Sequence, residues 1–281
     1  MNKKYLDKLP EWYKDITNSY GLSLTDDIDS LLSAVILQNM FDVKINSFYT
    51  FKELYKVDNQ LEANKETIAI DADVTSGKGF GNHVVRPLES SKVNPDIINL
   101  NAIFPVYANS LQYHKKAATS TLLTVMSLYN CNIECFSEEA KMLLLTIDST
   151  FLGYYSEYTN DNKACKFFLC DVLELNGLYE VLKNHTKKEF LDLKEEFSLN
   201  SKITVDKNGY LKTDIDLFWI GMVLRLDVCL ELPKDKFILD KTYKKGYGRL
   251  SDLAKFCNKK FTIISLAATS KYFICFTYCE V

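Results

Sequence analysis

Apolar and polar residues alternate in short blocks along the first half of the chain, and the block lengths separate strands from helices. Gly21–Leu22–Ser23–Leu24–Thr25 is five residues long and ends in a run of acids, which predicts a short strand giving way to a loop. From Asp29 to Met40 the residues Leu31, Leu32, Ala34, Val35, Ile36 and Leu37 are apolar nearly all round, which predicts a buried helix. Asp27 or Asp29 suits its cap. Val43 to Phe51 alternates and reads as a second strand, and Thr67–Ile68–Ala69–Ile70–Asp71 as a third that ends in an acid. Before these, Leu9, Trp12, Tyr13 and Ile16 recur at helical spacing within residues 1–19. Between strand and helix signals lie the polar stretch 56–64, the Gly-rich turn 75–81 and the Pro-containing loop 86–98.

Further on, Ala117 to Tyr129 and Ser137 to Asp148 read as helices, the second capped by Ser137 with Glu138 and Glu139 in its first turn. Helix continues over about 160–196. The pattern then turns to hairpins, one at 203–212 around Asn208–Gly209 and one from Phe261–Ser265 to Tyr272–Tyr278. The expected fold is α/β, a mostly parallel sheet with helices on both faces, followed by a smaller C-terminal α+β domain. The boundary falls near 190–200, giving domains 1–195 and 196–281.

Composition narrows the class. The chain has 281 residues, 47% hydrophobic and 25% charged, as in an ordinary folded protein. A net charge of −3 lacks a strongly basic nucleic-acid footprint. The apolar run 217–224 is far shorter than a bilayer span, and Met1–Asn2–Lys3–Lys4 leads into no apolar signal segment, so a cytoplasmic protein without membrane contact is expected. The eight cysteines (131, 135, 165, 170, 229, 257, 275 and 279) form no CxxC pair and read as free, mostly buried thiols. With three histidines, a His-rich metal centre is excluded.

The acids carry the candidate chemistry. Asp27 and Asp29 stand two apart after one strand, Asp71 and Asp73 after another, and Asp148 ends a helix or the strand after it. Carboxylates from separate segments that converge repel one another unless a cation lies between them. Lys78, in the turn Ser76–Gly77–Lys78–Gly79, and the basic-aromatic run Lys241–Arg249, with Lys244, Lys245 and Arg249, are candidate contacts for a phosphate-bearing ligand. His114 and His185 lack an acid at useful spacing and read as surface or helix-end histidines. Tyr49, Phe51, Tyr154, Tyr155 and Tyr158 read as packing residues.

The order of these segments resembles the DHH phosphoesterase superfamily, which includes RecJ-type single-strand exonucleases, nanoRNases, cyclic-dinucleotide phosphodiesterases and family II pyrophosphatases. Asp27–Ile28–Asp29–Ser30–Leu31–Leu32–Ser33–Ala34 is similar to the family's acidic segment leading into a buried helix. Ile68–Ala69–Ile70–Asp71 is similar to its strand ending in Asp, and Gly81–Asn82–His83–Val84 to its Asp-His-His triplet. Ala118–Thr119–Ser120–Thr121 and the stretch from Ser137–Glu138–Glu139–Ala140 to Thr146–Ile147–Asp148–Ser149 complete the order, over about residues 20–155. Three positions depart from the family: Thr25 falls where an Asp or His ligand is usual, Asn82 where the first His is, and Gly81 where the triplet Asp is.

The resemblance implies a metal-dependent phosphodiesterase acting on a nucleotide or short single-stranded nucleic acid. Asp27, Asp29, Asp71 and Asp148 would hold Mn²⁺ or Mg²⁺. Asn82 would act as a weak ligand or position substrate, and His83 would contact the scissile phosphate as an acid or charge stabiliser. The departures support an alternative, a scaffold without catalysis that works by binding. It would target a host protein, as a virus-encoded inhibitor of a host nuclease or defence system does, or sequester a nucleotide. Either form is compatible with an oligomer.

Overall fold

The computed structural model describes residues 1–108, 110–226, 229–250 and 261–280. Its centre is a seven-stranded sheet. In chain order the strands are β1 (Tyr20–Leu24), β2 (Lys44–Tyr49), β3 (Glu53–Val57), β4 (Glu66–Ala69), β5 (Gly79–Phe80), β6 (Ile97–Ile98) and, joining late, β9 (Phe237–Thr242). Their spatial order is β6-β5-β4-β1-β2-β3-β9. From β6 through β2 every pairing is parallel, while β3 pairs antiparallel with both β2 and β9. The architecture is thus α/β with a mostly parallel sheet.

Strand β1 lies between β2 and β4, so the chain builds outward first on one side of β1 and then on the other. In such sheets the crevice at the carboxyl ends of the two strands where the order reverses is the natural ligand site. Here those two strands are β1 and β4, which run directly into Asp27–Asp29 and Asp71. The interior of the sheet is apolar on this account: Leu22, Leu24, Phe48, Ile68 and Ile70 are fully buried.

Ten α-helices are found among the described residues: α1 (Lys3–Leu6), α2 (Ile28–Phe41), α3 (Gln60–Ala63), α4 (Leu100–Ile103), α5 (Thr121–Leu128), α6 (Glu138–Thr146), α7 (Thr159–Lys166), α8 (Asn176–Asn184), α9 (Lys187–Glu196) and α10 (Leu217–Val223). Asp27 caps α2 through Ser30 N, and Leu31 and Leu37 of that helix are wholly enclosed. Truncating either to Ala is expected to cost about 2–5 kcal/mol. Its C-terminal half does not follow the expectation of burial all round, because Val35 and Ile36 are half-buried and Met40 is exposed. Ser137 caps α6 as its sequence predicts, and Thr186 and Glu189 form a reciprocal capping box on α9.

Other boundaries differ for local reasons. Pro10 breaks the N-terminal helical pattern into α1 and a 3₁₀ turn over Glu11–Lys14, yet Leu9, Tyr13 and Ile16 still reach the core. The polar-looking stretch after Phe51 holds β3, a strand whose side chains are mostly half-buried near the sheet margin and so lack a continuous apolar signature. Helix α6 stops at Thr146 because Asp148 and Ser149 adopt left-handed backbone. Only Cys165 of the described cysteines is buried, against the expectation of mostly buried thiols; all seven are free, and Cys257 lies outside the described residues.

The stretch after 195 packs into the main core, through Ile203, Leu211, Ile215, Ile220, Leu224 and Phe237, and β9 extends the main sheet. The short hairpin of β7 (Thr204–Val205) and β8 (Leu211–Lys212) turns at Gly209, whose φ of +93° suits glycine. A separate three-stranded antiparallel sheet, with spatial order β10-β12-β11, consists of β10 (Lys244–Arg249), β11 (Phe261–Ala268) and β12 (Phe273–Glu280). It has its own apolar cluster, with Leu266, Ile274 and Phe276 set against Val84, Val106 and Tyr113. Bridges from Val74 to Ser265 and from Val84 to Ala268 tie it beside the acidic segments. No helix among the described residues is long and apolar enough to cross a membrane.

Candidate functional site

Small side chains fix the ends of β1 and β4 together. Ser30 Oγ accepts from Thr25 N at 2.8 Å and donates to Ile70 O at 3.1 Å, so one buried hydroxyl locks the two loops that carry Asp27, Asp29 and Asp71. Asp29 lies at the floor, 3% exposed, and its oxygens accept from the Thr121 and Leu122 amides at 2.8 and 2.7 Å. These are free amides of the first turn of α5, so Asp29 docks that helix onto α2 as much as it contributes charge to the site. Thr121 Oγ1 donates in turn to Asp71 Oδ1 at 2.7 Å.

Asp71 and Asp148 both take left-handed backbone, with φ near 55° and 50°. Aspartate tolerates this region better than most residues, but it is uncommon, and such conformations persist where the surroundings enforce them. Asn82 Nδ2 donates to Asp148 Oδ2 at 2.7 Å. Asn101 holds Asn82 in place, donating to its carbonyl at 2.7 Å while exchanging bonds with Ala117.

The charges interact as one group. Burial pushes the Asp29 carboxyl well above the usual range, and the charges of Asp71, Asp148 and Asp27 push it further. Burial, then Asp27 and Asp148, do the same to Asp71, against the Thr121 hydroxyl. Asp148 is raised in the same sense by burial and by Asp27, although it stands open to the cleft, where solvent weakens the effect. Like charges gathered around one buried carboxylate repel, so the cluster favours protons or a cation.

His83 faces the same acids. Burial works against its charged form, but the hydrogen bond to Asp73 and the charges of Asp73, Asp148 and Asp71 prevail and hold its pKa up at about 9. Its ring remains 45% exposed, with Nδ1 3.2 Å from Asp73 Oδ2. Asp73 is itself anchored by Asn99 Nδ2 at 2.6 Å and by His83 N at 3.1 Å. A Cβ built on Gly81 would lie 2.1 Å from Asp73 Oδ1. The space that a side chain at 81 would need is filled by the Asp73 carboxylate.

Lys202 Nζ sits 3.0 Å from Asp26 Oδ1 and 3.2 Å from Asp27 Oδ2, a resident positive charge at one side of the cluster. Among the described residues, no three or more His, Cys, Asp or Glu side chains are arranged to hold a metal ion. The donor chemistry still suits a hard cation: Asp27, Asp71 and Asp148 offer carboxylate oxygens, and Asn82 Oδ1 is buried with no hydrogen-bond partner. Thr25 Oγ1 is likewise buried and unpartnered.

The basic residues expected at the site are dispersed. Lys78 pairs with Glu66 at 2.5 Å and lies over the Tyr20 ring. Glu66 and Tyr20 begin β4 and β1, so Lys78 is at the opposite end of the parallel strands from the acids. Lys244 pairs with Glu280, and Arg249 of β10 lies over Phe273 of β12. Of the four, Lys245 alone comes near, since its charge reaches Asp26. Two histidines expected to lack acids have them: His114 is 3.7 Å from Asp161, and His185 is 3.0 Å from Glu138 and 3.1 Å from Glu189. Glu189 lies one helical turn along from His185, a spacing legible in the sequence.

A cleft of about 770 Å³ opens beside the cluster, lined by Asn82, His83, Lys116, Asp148, Tyr158 and Ser270 among others. Asn99, Asn101, Lys116 and Lys202 are not singled out by spacing, because each comes to the site through tertiary contacts from a different segment. No family model matches this chain, and no curated protein or solved structure matches it either.

Proposed function

We propose that the chain is a metal-dependent phosphoesterase, a divergent member of the DHH superfamily, acting on a nucleotide or a short single-stranded nucleic acid in the cytoplasm. The observation that carries this reading is the set of mutually repelling acids at the β1/β4 crevice, beside an Asn82 oxygen that is buried and unpaired. In this reading helices cover both faces of the sheet, and the three-stranded C-terminal sheet forms a small substrate- or partner-binding unit.

Asp27, Asp71 and Asp148, with Asn82 Oδ1, would hold one Mn²⁺ or Mg²⁺. When bound, the ion supplies positive charge to the phosphate oxygens and lowers the pKa of water at the site. Asp29 acts one step back by anchoring α5. His83, kept protonated at neutral pH by Asp73, offers a proton or a hydrogen bond to a phosphate oxygen. Asn82 Nδ2 fixes the Asp148 rotamer, and Lys116 adds positive charge that reaches Asp148. The test is Mn²⁺-stimulated hydrolysis of a model phosphodiester such as bis(p-nitrophenyl) phosphate. Activity that Asp71→Ala abolishes supports the reading; no turnover with any divalent ion sinks it.

Two observations favour a second reading, a scaffold that binds without catalysis. Among the described residues the acids form no ready-made cage, and Lys202 is already seated on Asp26 and Asp27. Under it the partner is a host nuclease or defence protein, or a sequestered nucleotide, and acid substitutions that keep the fold leave binding intact.

A further inference from the structure

The tyrosines after Phe151 do not share one role. Tyr154 packs edge-on against Tyr155 and Tyr179, and Tyr155 OH donates to the Leu182 and His185 carbonyls. Tyr158, expected to pack as well, is 65% exposed and faces the cleft that also holds His83 and Asp148. Its backbone is pinned all the same: Tyr158 N donates to Ser156 Oγ at 3.2 Å, and Asp161 N to Tyr158 O at 3.0 Å. The His114 ring lies 5.9 Å from the Tyr158 ring at 41°. His114 is braced by Asp161, which Ser156 Oγ holds at 2.7 Å. An aromatic face kept bare on a fixed backbone, inside a cleft, suits a flat ligand better than it suits water.

We propose that Tyr158 and His114 form a stacking platform for a nucleobase, in the cleft that His83 and Asp148 also line. This rests on the phosphoesterase reading for the phosphate end of the ligand and adds a second recognition element. The cleft volume of about 770 Å³ suits a nucleotide-sized molecule. Charge orients the ligand within it. Glu157 and Asp161 line the Tyr158 end and repel a phosphate there, while Lys116 lies over the Tyr113 ring and bonds its hydroxyl at 3.2 Å. Lys187 lines the cleft as well, so it is the Lys116 charge reaching Asp148 that assigns the phosphate to the acid cluster and leaves the uncharged base to Tyr158. Stacking of this kind tolerates any base, since each has a π face.

The test compares adenosine 5′-monophosphate with ribose 5-phosphate, by titration calorimetry in Mn²⁺, on wild type, Tyr158→Ala and Tyr158→Phe. Wild type and Tyr158→Phe are expected to prefer the nucleotide by roughly 5- to 100-fold, the usual worth of one stacked base. Tyr158→Ala is expected to bring the two ligands within about twofold, with ribose 5-phosphate affinity unchanged. A nucleotide preference that survives Tyr158→Ala, or is absent in wild type, overturns the platform. The phosphate end is read separately, by ribose 5-phosphate binding with and without Mn²⁺ and in Asp71→Asn. If that binding ignores both while the preference still follows Tyr158, the phosphoesterase reading fails and the platform stands. If neither ligand binds, both fall.

Discussion

Asn82 gives its amide hydrogen to Asp148 and keeps its amide oxygen buried and unshared. In the proposed reading that buried oxygen is the ligand Asn82 offers the cation. Asn82→Asp tests this. Two carboxylates in place of the Asn82–Asp148 bond are expected to destabilise the metal-free protein by about 1–3 kcal/mol. The same variant is expected to gain more thermal stability from Mn²⁺ than wild type does. Melting curves in chelator and in Mn²⁺ measure both, and equal Mn²⁺ shifts in the two proteins count against the assignment.

The acid cluster sets a pH dependence of definite sign. Asp29 and Asp71 have folded pKa values raised by burial and by neighbouring acids, so the stability tied to them is present below the unfolded carboxylate range and lost as pH rises through the raised values. His83 acts in the same sense, contributing below its unfolded value and losing that contribution as pH rises through about 9. Glu189, held down at about 2 by the Thr186 amide and His185, opposes them only in acid, below its unfolded value. Metal-free protein is therefore expected to melt higher near pH 5 than near pH 8, around the ordinary carboxylate and histidine ranges. Saturating Mn²⁺ should flatten the slope, and a metal-free Tm that climbs with pH would contradict the cluster.

Lys202 occupies charge space that a cation would share. Its pair with Asp26 and Asp27 is about half exposed, so its removal should change metal-free stability little. Lys202→Ala is expected to tighten Mn²⁺ binding by about three- to tenfold, through the loss of one like charge near the ion. Weakened Mn²⁺ binding in this variant would place Lys202 in the opposite role.

Arg225 closes α10 in a Schellman turn, with Leu226 N donating to Gly221 O at 3.1 Å and Arg225 N to Met222 O at 3.1 Å. Its φ of 50° is the position where glycine is preferred. Arg225→Gly is expected to stabilise the fold by about 1 kcal/mol, the typical left-handed penalty for a side chain, as read from urea unfolding. A loss of stability would mean that the Arg225 side chain contributes more than its backbone costs.

Local signals made much of the scaffold legible. β1, α2, β4 and the cap at Ser137 each follow from an apolar block next to a capping or turn residue. β3 was hidden because half-buried strands near a sheet margin carry mixed polarity. β9 was hidden because Phe237 alone of its side chains is buried. The four acids were visible as strand-end and helix-end carboxylates, and they do share one electrostatic neighbourhood. Their division of labour was not visible. That Asp29 anchors α5, that Asp73 takes the space beside Gly81, and that Lys202 lies against Asp27 all depend on contacts between residues far apart in the chain. Lys78 shows the reverse case, a Gly-rich turn that parallel topology carries to the end of the sheet away from the acids.

The most direct measurement is a calorimetric titration of metal-free protein with Mn²⁺, on wild type and on Asp71→Asn, with folding of both checked by circular dichroism. The account predicts saturable binding by wild type that the Asn variant loses or weakens by at least about tenfold, a difference worth about 1.4 kcal/mol. No saturable binding by wild type, or the same isotherm from both proteins, would contradict it.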